Sequence, residues 1–408
     1  MRDHRSSAAT EPPRVPKVQK VELSEKNTKI RAILVIALIL VAAIAFAVGV
    51  WLSRRTEKGW QKVETGIVKG YVHNDEFSFN YCFGQGEKSA TSESKAVSIL
   101  YNEALTRVYP LFDNYVLYAD VHGVCYLNNH VNEEVQVDEL LYDALSLLNE
   151  KGVRTQYLAP VYETYKSIFA CSYDAVAQQY DPYVNEELAQ VFEKIAEFAA
   201  DEKAVSLKLL GNNTVKLFVS DEYLSYGNEM GVTSYIDLWF IQNAFIVDYC
   251  ADTLIKHGYR LGNISSFDGF TRNLDDGVFE YFYAIYDYTA LDTIGAMKYS
   301  APISIVNFRS YPLGFYEADW RFYQYENGVC RTDYLDISDG KDRPSLNELI
   351  GYSYSGAGCA EIALSMLPAY VGEKCDFDAL HALADQEIFF VCCIEKTVFS
   401  NDPDGAFS

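Results

Sequence analysis

Residues 32–52 contain no charge and are dominated by Ala, Ile, Leu and Val. As helix, a run of this length covers roughly 30 Å, the thickness of a bilayer's hydrocarbon core. A core helix of a soluble protein would carry a polar stripe; this run carries none, which predicts a membrane-spanning helix. Lys29 and Arg31 precede it, and Arg54, Arg55 and Lys58 follow. Ala45-Phe46-Ala47 matches a small-residue cleavage pattern, but the apolar run continues to Trp51 and Leu52, which favours a retained anchor over a cleaved signal.

Beyond the anchor the period changes. Residues 66–83 alternate polar and apolar (Ile67, Tyr71, Phe77, Phe79, Tyr81), as antiparallel strands do. Ala96, Ile99, Leu100 and Ala104 then recur at helical spacing within residues 93–109. Asp138 is placed to cap a helix with Leu140, Leu141, Ala144, Leu145 and Leu148 as its apolar stripe, and Gly152 to end it. Further helices are predicted over 186–200 and 245–257, the latter stopped by Gly258. Between and after them lie strand-like runs, VSLKLL, TVKLFVS, FEYFYAIYDYT, ISIVNF and IFFVCCI. Helices interspersed with antiparallel-type strands predict one large α+β domain. The expected organisation is a basic cytoplasmic tail (1–31), a transmembrane helix (32–52), a juxtamembrane linker (53–65) and the domain (66–408).

Charge sharpens this layout. The tail carries eight Lys or Arg against four acidic residues, whereas residues 32–408 carry 26 basic against 53 acidic, a net −27. A short basic tail before one span places the tail inside and the domain outside the cell membrane. So acidic a domain repels nucleic-acid phosphates. The nine cysteines show neither a CxxC pair nor regular spacing, so buried free thiols are expected, with one or two disulfides left open. The 32 tyrosines read first as codon bias with amphipathic packing, and second as a sugar-stacking surface. His73, His122, His130, His257 and His381 lack metal-ligand spacing. Asn212-Asn213-Thr214 and Asn263-Ile264-Ser265 fit a glycosylation sequon that means little outside a secretory context.

Residues 236–258, IDLWFIQNAFIVDYCADTLIKHG, bear the most specific signal. The run resembles, without a gap, the IDLGGIAKGYAVD loop and following helix of the FAD:protein FMN transferases, the ApbE family. Trp239 and Phe240 stand where that family has Gly-Gly, and Asn243 and Ala244 where it has Lys-Gly. The resemblance extends over most of 65–400. Leu127-Asn128 is similar to an early Leu-Asn pair, and Gln156-Tyr157-Leu158-Ala159 stands at a Gly-Ala-Phe-Asp motif. SSFDGF at 265–270 stands at NLGGDI, with Asp268 and Gly269 loosely at the glycine pair. RTDYLDISDGKDRP resembles HIIDPKTGYP, with Asp336 and Gly340 matching and Asp333 at the histidine. CAEIALSML resembles the ADALST helix, with Glu361 for Asp and Ser365 for Thr.

The resemblance implies a membrane-preceded α+β domain that uses FAD and Mg²⁺. It carries the flavin site onto Asp237, Gln242, Asn243, Asp248 and Asp336, and the metal onto Glu361, Ser365 and the Gln242 carbonyl. Positions i and i+4 share a helix face, so Glu361 and Ser365 can converge on a hard cation; the bland alternative is an early-helix acid beside an incidental serine. Asp333 or Asp268 would replace the lost histidine as base. Glycine lets backbone approach a phosphate closely, so losing both pairs, the lysine and the histidine predicts reduced or lost catalysis in an extracytoplasmic membrane protein of this type. The alternative is active Mg²⁺-dependent transfer of FMN from FAD to Thr or Ser of a flavin-accepting or electron-transfer partner. A third reading is a surface binding module unrelated to flavin.

Overall fold

The computed structural model describes residues 28–53, 56–64, 76–86, 88–288, 290–314, 320–354, 356–405 and 407. Most of the basic tail, His73 and the first part of the alternating stretch 66–83 lie outside these residues. The chain divides into two units, Met1–Arg55 and Thr56–Ser408. Within the first, α1 (Thr28–Ser53) contains Ala32–Val50, a segment long and apolar enough to cross a membrane and not buried among the described residues. Ile33, Leu38, Val41 and Phe46 all project from it exposed.

The second unit is mixed α+β, as the patterning predicts. Its frame is an eight-stranded antiparallel meander in which spatial order follows chain order: β1 (Gly59–Lys62), β2 (Phe77–Phe83), β3 (Gly262–Ser266), β4 (Phe270–Asn273), β5 (Ile303–Arg309), β6 (Glu348–Ser353), β7 (Phe389–Ile394) and β8 (Thr397–Ser400). Strand β1 falls inside the stretch expected to be linker. Its sequence, GWQK, has no apolar alternation; it pairs with β2 at the sheet edge, and Trp60 packs on Phe279 and Tyr281.

The period-2 rule assigns the two faces of the sheet. Val306 and Phe308 of β5, Leu349 of β6 and Cys392 of β7 join the main core. Against this face lie α2 (Ala90–Phe112), α6 (Gln242–Lys256) and α7 (Cys359–Tyr370). Helix α7 sits so close to β6 that a Cβ at Gly351 would meet Met366 Sδ at 2.1 Å. Ile303, Ile305, Ile350, Tyr352 and Val391 point the other way and form a second cluster with Ile285 and Met297 of a hairpin (Tyr281–Asp287 and Asp292–Tyr299). Adjacent Cys392 and Cys393 therefore serve opposite faces. All nine cysteines are free thiols.

Three more helices pack into the core, α3 (Glu139–Glu150), α4 (Ala159–Phe169) and α5 (Glu186–Ala200), with α2 and α6 labelled as above in order along the chain. Asp138 caps α3 through Leu140 N–H at 2.9 Å, and Gly152 follows its end at φ +65°, as expected. Helix α6 begins at Gln242, three residues before the expected start, because Ile241 caps it without a side-chain hydrogen bond and leaves no sequence signal.

Candidate functional site

The run 236–258 is pinned into place before its side chains do anything. Asn128 Oδ1 accepts from the Tyr235 and Ile236 N–H groups at 2.8 and 3.1 Å, and its Nδ2 donates to the Ile236 carbonyl at 2.8 Å. The Leu-Asn pair is thus a clamp on this segment. Asp237 N–H donates to the Gln156 carbonyl, and Asp237 Oδ1 accepts from Trp239 N–H at 2.9 Å, the local turn that Asp favours. Trp239 and Phe240 then turn inward. Phe240 stacks on Tyr162 at 6.0 Å and 3°, while Trp239 meets Tyr162, Phe169 and Trp320.

Beneath this aromatic layer lies a closed charged cluster. The Arg321 guanidinium, whose side chain is 4% exposed, sits 2.9 Å from Asp333 Oδ2 and 3.0 Å from Asp268 Oδ2. It also donates to the Trp239 carbonyl at 2.6 Å. Asn243 Nδ2 bridges Glu76 Oε2 and Asp268 Oδ2, both at 3.1 Å. A cavity of about 10 Å³ remains among Phe240, Asp268, Phe270, Arg309, Arg321 and Asp333, the volume of about one water. Burial raises the Asp333 carboxyl above its ordinary range, against the pull of Arg321 beside it.

Above the layer is an open cavity of about 370 Å³ bounded by Glu76, Asp113, Lys166, Asp237, Trp239, Gln242 and Trp320. Lys166 Nζ reaches Asp237 Oδ2 at 2.6 Å, touches the Tyr115 hydroxyl, and lies 4.7 Å from the Trp239 ring centroid. Asp237 is almost wholly buried, so this pair is its charge compensation.

The structure brings Asp237 and Gln242 to the open cavity, and Asn243, Asp268 and Asp333 to the closed cluster. The other predicted positions lie elsewhere. Asp248 accepts from the Cys359 and Ala360 N–H groups at 2.8 and 2.9 Å and pairs with Arg272, so it caps the first turn of α7. Asp336 closes a turn with Ser338 and pairs with Arg343 at 2.6 Å. Burial would raise its carboxyl, but the Ser338 and Arg343 contacts outweigh it and hold Asp336 below the usual range. Glu361 pairs with Lys151 at 3.4 Å, and Ser365 Oγ donates to the Glu361 carbonyl at 2.8 Å. Glu361 lines a different cavity from Gln242. Among the described residues, no group of three or more His, Cys, Asp or Glu is placed to hold a metal ion.

Sequence reasoning missed Arg321, Lys166 and Glu76. The available signal was indirect: in so acidic a chain, a lone base inside an aromatic stretch such as DWRFYQY has many carboxylates to meet. It also missed Asp342, buried beside Arg331, the Tyr165 hydroxyl (3.0 Å) and Thr332 N–H (3.1 Å). Burial pushes Asp342 up to about 6, further than Arg331 pulls it down. A folded-state value above the unfolded one gives stability that is present below about pH 4 and lost as pH rises through 6. Unfolding free energies of the parent and Asp342→Asn, measured from pH 4 to 7, should diverge by roughly 3 kcal/mol, with the parent losing the more. Parallel profiles would contradict this.

These elements define the fold of flavin transferases. The backbone superposes on the ApbE protein of Thermotoga maritima with a TM-score of 0.55 at 12% identity, over 86% of this chain and 96% of that one. For the flavin transferase ApbE of Vibrio cholerae the TM-score is 0.54 at 12% identity, over 84% and 97%. The Pseudomonas stutzeri flavinyl transferase ApbE gives 0.52 at 10%, over 84% and 94%. No protein-family model and no curated protein matches the sequence. The second unit therefore has the ApbE fold, at a sequence distance where fold alone is shared.

Proposed function

We propose that this chain is a membrane-anchored protein with its ApbE-fold domain outside the cell, and that the domain has lost FMN transfer. The supporting observation is the Arg321 cluster. Trp239, Asp268 and Asp333, the positions where the resemblance puts the first glycine pair, the second pair and the histidine, all contact one guanidinium. Asn243, at the lysine position, hydrogen-bonds into the same cluster through Asp268. Four separate losses thus form one mutually compensating replacement that fills space a flavin or phosphate would need.

The residues present also fit the implied groups poorly. A pyrophosphate in the open cavity would face Glu76, Asp113 and Asp237 with Lys166 as the facing cation. The Ser365 hydroxyl donates to its own helix and Glu361 pairs with Lys151, so an ion at the helix pair would compete with the Lys151 ammonium for the carboxylate. Lys166 favours the second reading, an active transferase serving a partner's Thr or Ser, because it could stand in for the missing lysine. Titration of the protein with FAD and Mg²⁺, followed by flavin fluorescence, separates the two. No binding is expected at tens of micromolar FAD; saturable Mg²⁺-dependent binding would favour the transferase. For the anchor, a chain that stays in the membrane fraction through carbonate washing is expected, whereas release of a species lacking residues 1–47 would indicate a cleaved signal.

A further inference from the structure

The sheet face turned away from the helices holds a second feature. Along β5, Ile303 and Ile305 pack against the hairpin, and the next two residues on that face are Asn307 and Arg309. Glu348 lies directly across from Arg309 in the β5–β6 register. All three are buried, at 7%, 4% and 7% exposure. They line a cavity of about 620 Å³, within the usual size of small-molecule sites.

This polar floor is incompletely satisfied. Asn307 Nδ2 donates to Glu348 Oε1 at 2.8 Å and to the Tyr283 hydroxyl at 3.2 Å, but Asn307 Oδ1 has no partner. Arg309 Nη2 donates to the Phe267 carbonyl at 3.2 Å, while Nη1 has none. Glu348 accepts from Asn307 and from Tyr286 N–H at 3.3 Å, which leaves lone pairs on its carboxylate. Among the described residues neither Arg309 nor Glu348 forms a salt bridge, although the Arg309 charge is near enough to act on the Glu348 carboxylate. Buried groups left this way are costly and rare in folded proteins.

The walls narrow the ligand class. Tyr288 and Tyr311 stack on each other at 4.3 Å and 15°, with Tyr286 5.9 Å from Tyr311. Rings already in contact cannot clasp a planar heterocycle between them, since each additional layer needs about 3.5 Å. They offer one outer face as a platform. One cation and one anion on the floor balance, which disfavours a charged ligand. A hydroxyl both donates and accepts, so neighbouring hydroxyls can meet the amide, guanidinium and carboxylate of Asn307, Arg309 and Glu348, which all line the cavity.

We infer that this cavity between the hairpin and strands β5 and β6 binds a neutral, polyhydroxylated sugar ring, with the Tyr288–Tyr311 pair as platform and Asn307, Arg309 and Glu348 as hydroxyl contacts. Arg309 also borders the small cavity beside Arg321, but Asp268, Arg321 and Asp333 do not line this one, so the inference does not depend on whether flavin chemistry survives. Full-length protein in detergent micelles, titrated calorimetrically with glucose, galactose, N-acetylglucosamine and their dimers, tests it. Saturable binding of at least one sugar is expected, weakened about tenfold by Tyr288→Ala and about tenfold or more by the near-isosteric Glu348→Gln. Tyr173→Ala, an exposed tyrosine outside the cavity, should leave binding unchanged. Absence of saturable binding by every sugar, or binding indifferent to both cavity variants, would overturn the inference. So would tighter binding of riboflavin or guanosine that responds to those variants.

Discussion

Replacing Arg321 with methionine is expected to destabilise the folded domain by about 3–5 kcal/mol, the scale for removing one partner of a buried ion cluster. Methionine keeps much of the side chain's volume, so the loss is electrostatic. It strands Asp333 and Asp268, whose side chains are 7% and 5% exposed, with Glu76 close behind. It also frees the Trp239 carbonyl that anchors the aromatic layer. The deficit has a definite pH dependence. Asp333 already has a raised folded-state value through burial, and removal of the guanidinium raises it further. The variant therefore binds protons more readily when folded, and its deficit should shrink as pH falls toward 4. Denaturant unfolding of both proteins at pH 4.5 and 7.5 measures this. A variant as stable as the parent at pH 7.5 would mean that the cluster does not hold the site closed. Adding Asp333→Asn to Arg321→Met should recover part of the loss, since the two changes share one interaction.

Lys166→Met is expected to have the next largest effect, again about 3–5 kcal/mol. Its ammonium compensates Asp237, whose side chain is 1% exposed, and lies over the Tyr115 and Trp239 rings at 4.6 and 4.7 Å. Without it, Asp237 keeps only its turn contact with Trp239 N–H. The Asp237→Asn, Lys166→Met double variant should be markedly more stable than Lys166→Met alone, because it removes the uncompensated charge but not the turn. Thermal unfolding of the four members of the cycle checks this; additive losses would contradict the pairing. The two predictions are related through Trp239, which meets Lys166 on one side and Arg321, at 4.6 Å from its ring, on the other.

Much of the fold could be read from local pattern, and the reasons are visible at individual residues. Helix α3 carried its own cap at Asp138 and its own stop at Gly152, so its limits followed from the sequence. Helix α6 did not, since Ile241 caps it without a side chain, and its start was placed late. Strand β1 is placed by the edge of β2 and by the Phe279 and Tyr281 rings under Trp60, information that GWQK does not contain. For the site, the substitutions at Trp239, Asn243, Asp268 and Asp333 were each visible by position. That they answer one another was not, because the residue joining them is Arg321, distant from Trp239 and Asp268 in sequence. Asp248 shows the converse. Its place in the resemblance pointed to flavin, whereas its carboxylate is turned to the α7 N-terminus, over a hundred residues downstream.

We propose that the loop which the resemblance ties to phosphate and flavin is here filled by a layer of indole, phenyl, guanidinium and carboxylate, joined through Arg321. Phosphoryl transfer depends on positioned cations and close backbone approach, and on this proposal the layer takes the place of both. A single-turnover assay tests this most directly: protein in excess over FAD, with Mg²⁺ and a threonine-containing acceptor peptide, followed for AMP release. The account predicts no AMP above the protein-free rate. Stoichiometric, Mg²⁺-dependent AMP release that is lost on Lys166→Met would contradict it and establish an active transferase behind the altered loop.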